Sequence, residues 1–370
     1  ARLAGWKKVQ AADVPVLLTA AAPPGFRITR APGDRGLLFH HRRRLDDGEL
    51  LLLVNTSSQF PSSGTVDTSA LGVEEWDPAT GVTKPYAFES AGKGSRVRFE
   101  LPQAGSLLLF LSRTGRPPVP AREARSIELR PERPPLARRT GPNVLVIDYL
   151  DVRAGGQLRE KTYFYQASQF AFAQNGMDRN PWDSAVQFRD ELISRTFPAA
   201  SGFEATYRFT IKDSVPLGLL AVVERPDLYT VFCNGRRVEA AKGQWWLDRA
   251  FGRIEIGREA RVGENELVLK TAPFTMYHEI EPVYLLGDFA LDPSGSGFVI
   301  APDRPIGLAP WNEQGQPFYS EGVTYAETFG VGKAQAEYRV QLKRWYGSVA
   351  RVTVNGKPAG FVFSAPWTLD

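Results

Sequence analysis

The stretch "VARVTVNGKPAGFVF" (residues 349–363) decides how this chain is read. Apolar and polar residues alternate up to Asn355-Gly356, and the alternation resumes beyond it. A period of two puts successive side chains on opposite faces of a strand. Asn-Gly between two such runs signals a hairpin, because a two-residue type I′ turn needs positive φ at both central positions. An earlier stretch, "LYTVFCNGRRVEA" (228–240), repeats the design around Asn234-Gly235. Two such hairpins in one chain predict two related β-sandwich modules.

The surrounding text agrees with that reading. Short β-patterned runs dominate, and 34 Gly and 28 Pro punctuate them. The expected fold is mostly β: tandem β-sandwiches with a short helical insertion. "GLLFHHRRR" (36–44), "ELLLLVNTS" (49–57), "VEEWDPATG" (73–81), "SRVRFELP" (95–102) and "GSLLLFLSR" (105–113) form one meander, the last two as facing strands. Within 161–197 the run "SAVQFRDELI" (184–193) has helical spacing and predicts the helix.

Four segments follow from these patterns. Residues 1–113 are an accessory sandwich. Residues 114–142 are a Pro/Arg-rich linker, extended by its prolines. Residues 143–291 and 292–370 are the two modules carrying the Asn-Gly turns. The first copy continues past its turn to "GENELVLK" (263–270), whereas the second reaches Asp370 without that strand. The expectation is therefore a fragment, since a sheet lacking closing strands leaves backbone groups unpaired.

Composition narrows the function classes. The 370 residues suit two or three domains, and 43% apolar residues suffice for packed cores. Forty-five basic against 41 acidic side chains give +4, too small a bias to imply nucleic acid. The cluster "HHRRR" (40–44) is followed at once by "LDDGE" (45–49) and reads as a solvated strand face or salt-bridge network. The single cysteine, Cys233, excludes an internal disulfide and sits in a strand as a buried thiol. No apolar run reaches the roughly 18–20 residues that span a bilayer.

The phrases "GVTYAETF", "VQL" and "VARVTVNGKPAGFVFSAPWTLD", with Gly263, Glu264 and Asn265 of the first copy, resemble the sugar-binding jelly-roll domain of glycoside hydrolase family 2 and galactose-binding-like modules. "LLFHHRRRLDDGELLLLVNTS", "VEEWDPATG", "YLLGDFAL" and "QGQPFYSEGVTY" look like the C-terminal region of large bacterial α-L-rhamnosidase-type enzymes, glycoside hydrolase family 106. In that family the catalytic carboxylates belong to an upstream barrel. The resemblance thus implies a non-catalytic, carbohydrate-binding portion of a glycosidase acting on plant or bacterial polysaccharide. Its implied partners are carbohydrate and the upstream domain of the same polypeptide, and its implied location is periplasmic or extracellular. A stand-alone carbohydrate-binding or adhesion module and a structural spacer remain open alternatives.

Candidate residues follow from chemistry. A sugar ring stacks its C–H face on Trp or Tyr while carboxylates and amides take its hydroxyls. Trp245-Trp246 with Asp248, Trp182 with Asp183, and Trp311 with Asn312, Gln314 and Tyr319 offer that combination. Trp245 and Trp246 face opposite sides of a strand, so packing competes with binding there. Glycoside cleavage needs two carboxyl groups roughly 5–10 Å apart. Glu279 and Glu281 would share one face of an extended segment at about 7 Å, as would acids on any exposed strand. His40, His41 and His278 lack zinc spacing, and no H-E-x-x-H occurs. No cofactor is expected; calcium stays open, without a D-x-D-x-D loop to support it.

Overall fold

The computed structural model describes residues 8–21, 25–115, 127–184, 190–295, 297–331, 337–343 and 345–370. It is mostly β, with antiparallel sheets stacked as tandem sandwiches. The chain divides into two compact units: Ala1–Glu128 with Val331–Asp370, and Leu129–Gly330.

In the first unit, a four-stranded sheet runs Phe26–Arg30, Ser62–Thr68, Gly94–Leu101, Glu89–Ala91. A five-stranded sheet runs Leu38–Arg44, Gly48–Asn55, Ser106–Ser112, Gly72–Trp76, Thr83–Pro85. Strand Gly94–Leu101 buries every second residue, including Val97, Phe99 and Leu101, against Leu51, Leu53, Leu109 and Leu111 of the other sheet. The runs "SRVRFELP" and "GSLLLFLSR" thus lie in opposite layers over one core.

The same unit contains the later Asn-Gly hairpin, Ala350–Val354 paired with Lys357–Val362. Asn355 and Gly356 have φ of 52° and 75°, the signs a type I′ turn requires. Among the described residues this hairpin pairs only with itself.

The second unit is larger. Its five-stranded sheet runs Asn143–Ile147, Val283–Gly287, Leu220–Glu224, Asp248–Glu255, Ala240–Trp246. Its eight-stranded sheet runs Gln157–Tyr163, Tyr149–Ala154, Phe203–Ile211, Gly263–Thr271, Thr230–Cys233, Arg236–Val238. The remaining two strands, Phe289–Ser294 and Gly297–Pro302, pair with each other, and the latter meets Phe203–Ile211 in parallel at Ile211 and Ile300. Strand Phe289–Ser294 therefore runs through the boundary expected between 291 and 292. Of the proline-rich segment, Leu136–Arg139 forms a strand with Val323–Ala326, and residues 116–126 lie outside the described residues.

One core fills the space between the two sheets, with Val152, Ala205, Tyr207, Leu267 and Leu269 from one and Ala221, Val223, Ile254 and Leu285 from the other. Cys233 is buried in it, and burial pushes its thiol up to about 11. The thiol packs as a small apolar group.

Half of the run expected to be helical falls outside the described residues. Over 184–193 the described residues show a 3₁₀ turn ending at Ser184 and one helical turn, Asp190–Ile193; residues 185–189 are outside the described set. The regular helix of this unit is Phe164–Gln174, packed on strand Tyr149–Ala154. Its Phe and Tyr content mimics a strand. Yet Ala167, Phe170 and Ala171 recur at helical spacing and make up most of its buried face.

Candidate functional site

The second unit gathers carboxylates at one end of its five-stranded sheet. Glu224 ends strand Leu220–Glu224, Asp248 begins strand Asp248–Glu255, and Glu281 precedes strand Val283–Gly287. Strands Leu220–Glu224 and Val283–Gly287 are antiparallel, with Val222 opposite Tyr284, so the end of one meets the start of the other. Sequence reading identified Glu279 and Glu281 but missed Glu224. No local signal marks Glu224; only strand order brings it to them.

The segment 278–281 is held firmly. His278 is buried; its Nδ1 accepts from the Thr275 backbone N–H at 2.8 Å, so Nε2 carries the proton and donates to the Leu228 carbonyl at 2.9 Å. Ile280 is buried between the two glutamates. Tyr229 donates to the Glu279 carbonyl at 2.7 Å, and Tyr207 donates to the Glu281 carbonyl at 2.6 Å. Burial, reinforced by nearby carboxylates, raises both phenols above their ordinary range, so they remain donors.

Glu224, Glu279 and Glu281 line one cleft. Burial pushes the Glu281 carboxyl up to about 7, with Glu224, Glu279 and Asp183 adding like-charge repulsion. Glu279 is raised by burial and held back by Asn180, whose Nδ2 donates to Oε1 at 2.7 Å. Glu224 is raised by burial and by Asp248. Among the described residues, no three acidic, histidine or cysteine side chains are placed to hold a metal ion.

A row of polar groups extends from Glu279. Asn180 Oδ1 accepts from the Trp182 backbone N–H at 3.0 Å, and Gln169 Oε1 accepts from the Asn180 backbone N–H at 2.9 Å. Gln169 Nε2 and, at 3.3 Å, the Tyr165 hydroxyl donate to Asp183. Trp182 packs against the core and donates its indole N–H to the Met276 carbonyl at 2.6 Å. Asp183 thus joins the row, while its neighbour Trp182 anchors it.

The other candidates lie apart. Trp246 is 6% exposed and packs with Val144, Val222 and Leu286, its ring 5.2 Å from Tyr284. Trp245 is 47% exposed on the opposite face. Asp248 accepts from the Ala250 backbone N–H at 2.8 Å and closes the turn after Leu247. Trp311 donates to the Tyr325 hydroxyl at 2.7 Å and meets Tyr319 edge-on at 5.6 Å. Tyr319 is buried; its hydroxyl accepts from Thr140 and Gly141 and donates to the Gly322 carbonyl. Gln314 accepts from the Gly307 backbone N–H and donates to Ala309. These residues hold their loop together, and Asn312 is exposed beside them.

No family model matches the sequence, and no curated protein matches it. Among solved structures, a chain from "Structure of Rhamnosidase from Novosphingobium sp. PP1Y" is similar at 18% identity and a TM-score of 0.25. The match covers 75% of this chain and 26% of that one. A likeness at that score carries no functional argument.

Proposed function

We propose that this chain is a non-catalytic, carbohydrate-binding accessory portion of a glycoside hydrolase of α-L-rhamnosidase type, located in the periplasm or outside the cell. Its phrases and turns resemble such regions, and the tandem sandwiches supply the rigid layered frame that the resemblance implies. The observation that carries the reading is the smallness of the carboxylate cleft. Its volume is about 10 Å³, room for a single water at most. A space that small supports a reading in which Glu224, Glu279 and Glu281 do not flank a scissile glycosidic bond, which must lie between two carboxyl groups. The exposed Asp183 carboxylate and Tyr165 hydroxyl beside the cleft can still exchange hydrogen bonds with sugar hydroxyls.

Affinity electrophoresis through gels containing rhamnose-bearing polysaccharide tests this. Retardation of the chain, with no reducing sugar released by the parent or by the Glu279→Gln plus Glu281→Gln variant, is the expected result. Sugar release by the chain that disappears in that double variant would overturn it.

A further inference from the structure

A second feature of the larger unit lies away from the carboxylate cleft, on the outer face of the eight-stranded sheet. Strand Tyr149–Ala154 buries Leu150, Val152 and Ala154 in the core and turns Tyr149, Asp151 and Arg153 outward. Strand Phe203–Ile211 buries Ala205 and Tyr207 and turns Glu204, Thr206 and Arg208 outward. Between these strands and Glu266 of the next lies a depression of about 170 Å³. Its floor is short: Thr206 and Val268 are overtopped by the longer charged side chains around them.

The walls combine donors and acceptors. Arg208 bridges Asp151 and Glu266, each at 3.1 Å, leaving carboxylate lone pairs and guanidinium N–H groups side by side. Arg153 lines the same depression and, among the described residues, has no ion-pair partner. Tyr149 is exposed on this outward face, and its ring centroid lies 5.5 Å from that of Tyr163 across the strand pair. None of these residues carries a sequence motif.

We propose that this depression is a binding site for one neutral polyhydroxylated ring, a single sugar residue. A hydroxyl both donates and accepts, so it satisfies carboxylate and guanidinium together. An anion would meet the four carboxylates of the lining, Asp151, Glu160, Glu204 and Glu266. A cation would meet Arg153 and Arg208. A neutral polyol meets neither penalty, and the short apolar floor at Val268 can take the ring's C–H surface. Drug-sized ligands occupy clefts of about 300 Å³ and more, so this smaller space fits one ring. The ligand class rests on the carbohydrate-binding reading above; the place and its residues are new.

Calorimetric titration of the full chain with L-rhamnose, D-galactose and D-glucose tests the site. Binding is expected in the millimolar range. Arg208→Ala and Arg153→Ala should each weaken it roughly tenfold with unchanged circular dichroism, since exposed ion pairs add little to stability. Glu255→Gln, at an exposed acid outside both the groove and the cleft, should bind as the parent does. Unchanged affinity in the groove variants, with loss in Glu279→Gln, would overturn this site and leave the carbohydrate-binding reading standing. Failure of every sugar to bind the parent chain would overturn both. Binding of inorganic phosphate or spermidine that Arg208→Ala abolishes, with no competition by sugar, would overturn the ligand class.

Discussion

Glu281 carries its titration in its surroundings. The groups facing it are Glu224, Glu279, Asp183 and the phenols of Tyr207, Tyr229 and Tyr284, and none is cationic. Its carboxyl is raised to about 7 in the folded protein, so the folded state holds a proton that the unfolded chain releases near pH 4.3. Stability from this group is complete below about pH 4 and is lost as pH rises through 7. After allowance for solvent screening the effect is about 1–2 kcal/mol. Thermal unfolding should show a lower midpoint at about pH 8 than at about pH 5.5, and Glu281→Gln should shrink that difference. An unchanged pH dependence in Glu281→Gln would place the titration elsewhere. Neighbouring tryptophans make a second test at this scale. Trp246→Ala should cost about 3–5 kcal/mol through cavity formation, whereas Trp245→Ala should stay within about 1 kcal/mol, both read by denaturant unfolding.

The doubled Asn-Gly hairpin is one element built in two settings. Asn234 and Gly235 have φ of 50° and 80°, matching the later turn. The earlier turn is locked from below. Asn265 is buried; its Nδ2 donates to the Arg261 and Gly263 carbonyls, and its Oδ1 accepts from the Arg261 backbone and the Asn234 side chain. Asn234 in turn accepts from the Glu266 backbone N–H at 3.0 Å. The "GEN" phrase is therefore the fastening of the hairpin to its neighbouring strand. Asn265→Ala should cost about 2–4 kcal/mol, since it orphans several buried groups. Asn234→Gly and Asn265→Ala should be non-additive in a double-mutant cycle, and additivity would argue against the lock. Asn355→Gly at the exposed later turn should change stability by only a few tenths of a kcal/mol, within about 0.5.

These elements also show what the sequence made legible. Strands with strict alternation, such as Gly94–Leu101, and both Asn-Gly turns could be read directly, because their signals are local. Strand Ser62–Thr68 was not, since Val66 is its only buried apolar residue. Helix Phe164–Gln174 was hidden by aromatic residues with strand propensity. The carboxylate cleft was half visible: Glu279 and Glu281 share a segment, but Glu224 and Asn180 reach them only through sheet order and a distant turn. The outer-face groove left no trace, because its residues are ordinary surface charges on three different strands.

At the scale of the whole molecule, each unit packs its own sandwich around its own apolar core. Among the described residues, no helix is long and apolar enough to cross a membrane. The larger unit supplies the polar surfaces that the proposed function needs: the carboxylate row at one sheet end and the groove on the outer sheet face. The groove is shallow and open to solvent, which suits recognition of a sugar more than its cleavage. The most direct test is a glycan array probed with the purified chain, paired with product analysis of the same glycans in solution. The account predicts that the chain is retained on rhamnose- or galactose-bearing glycans and leaves them intact. Retention on none of them, or conversion of those glycans to shorter products by this chain alone, would contradict it.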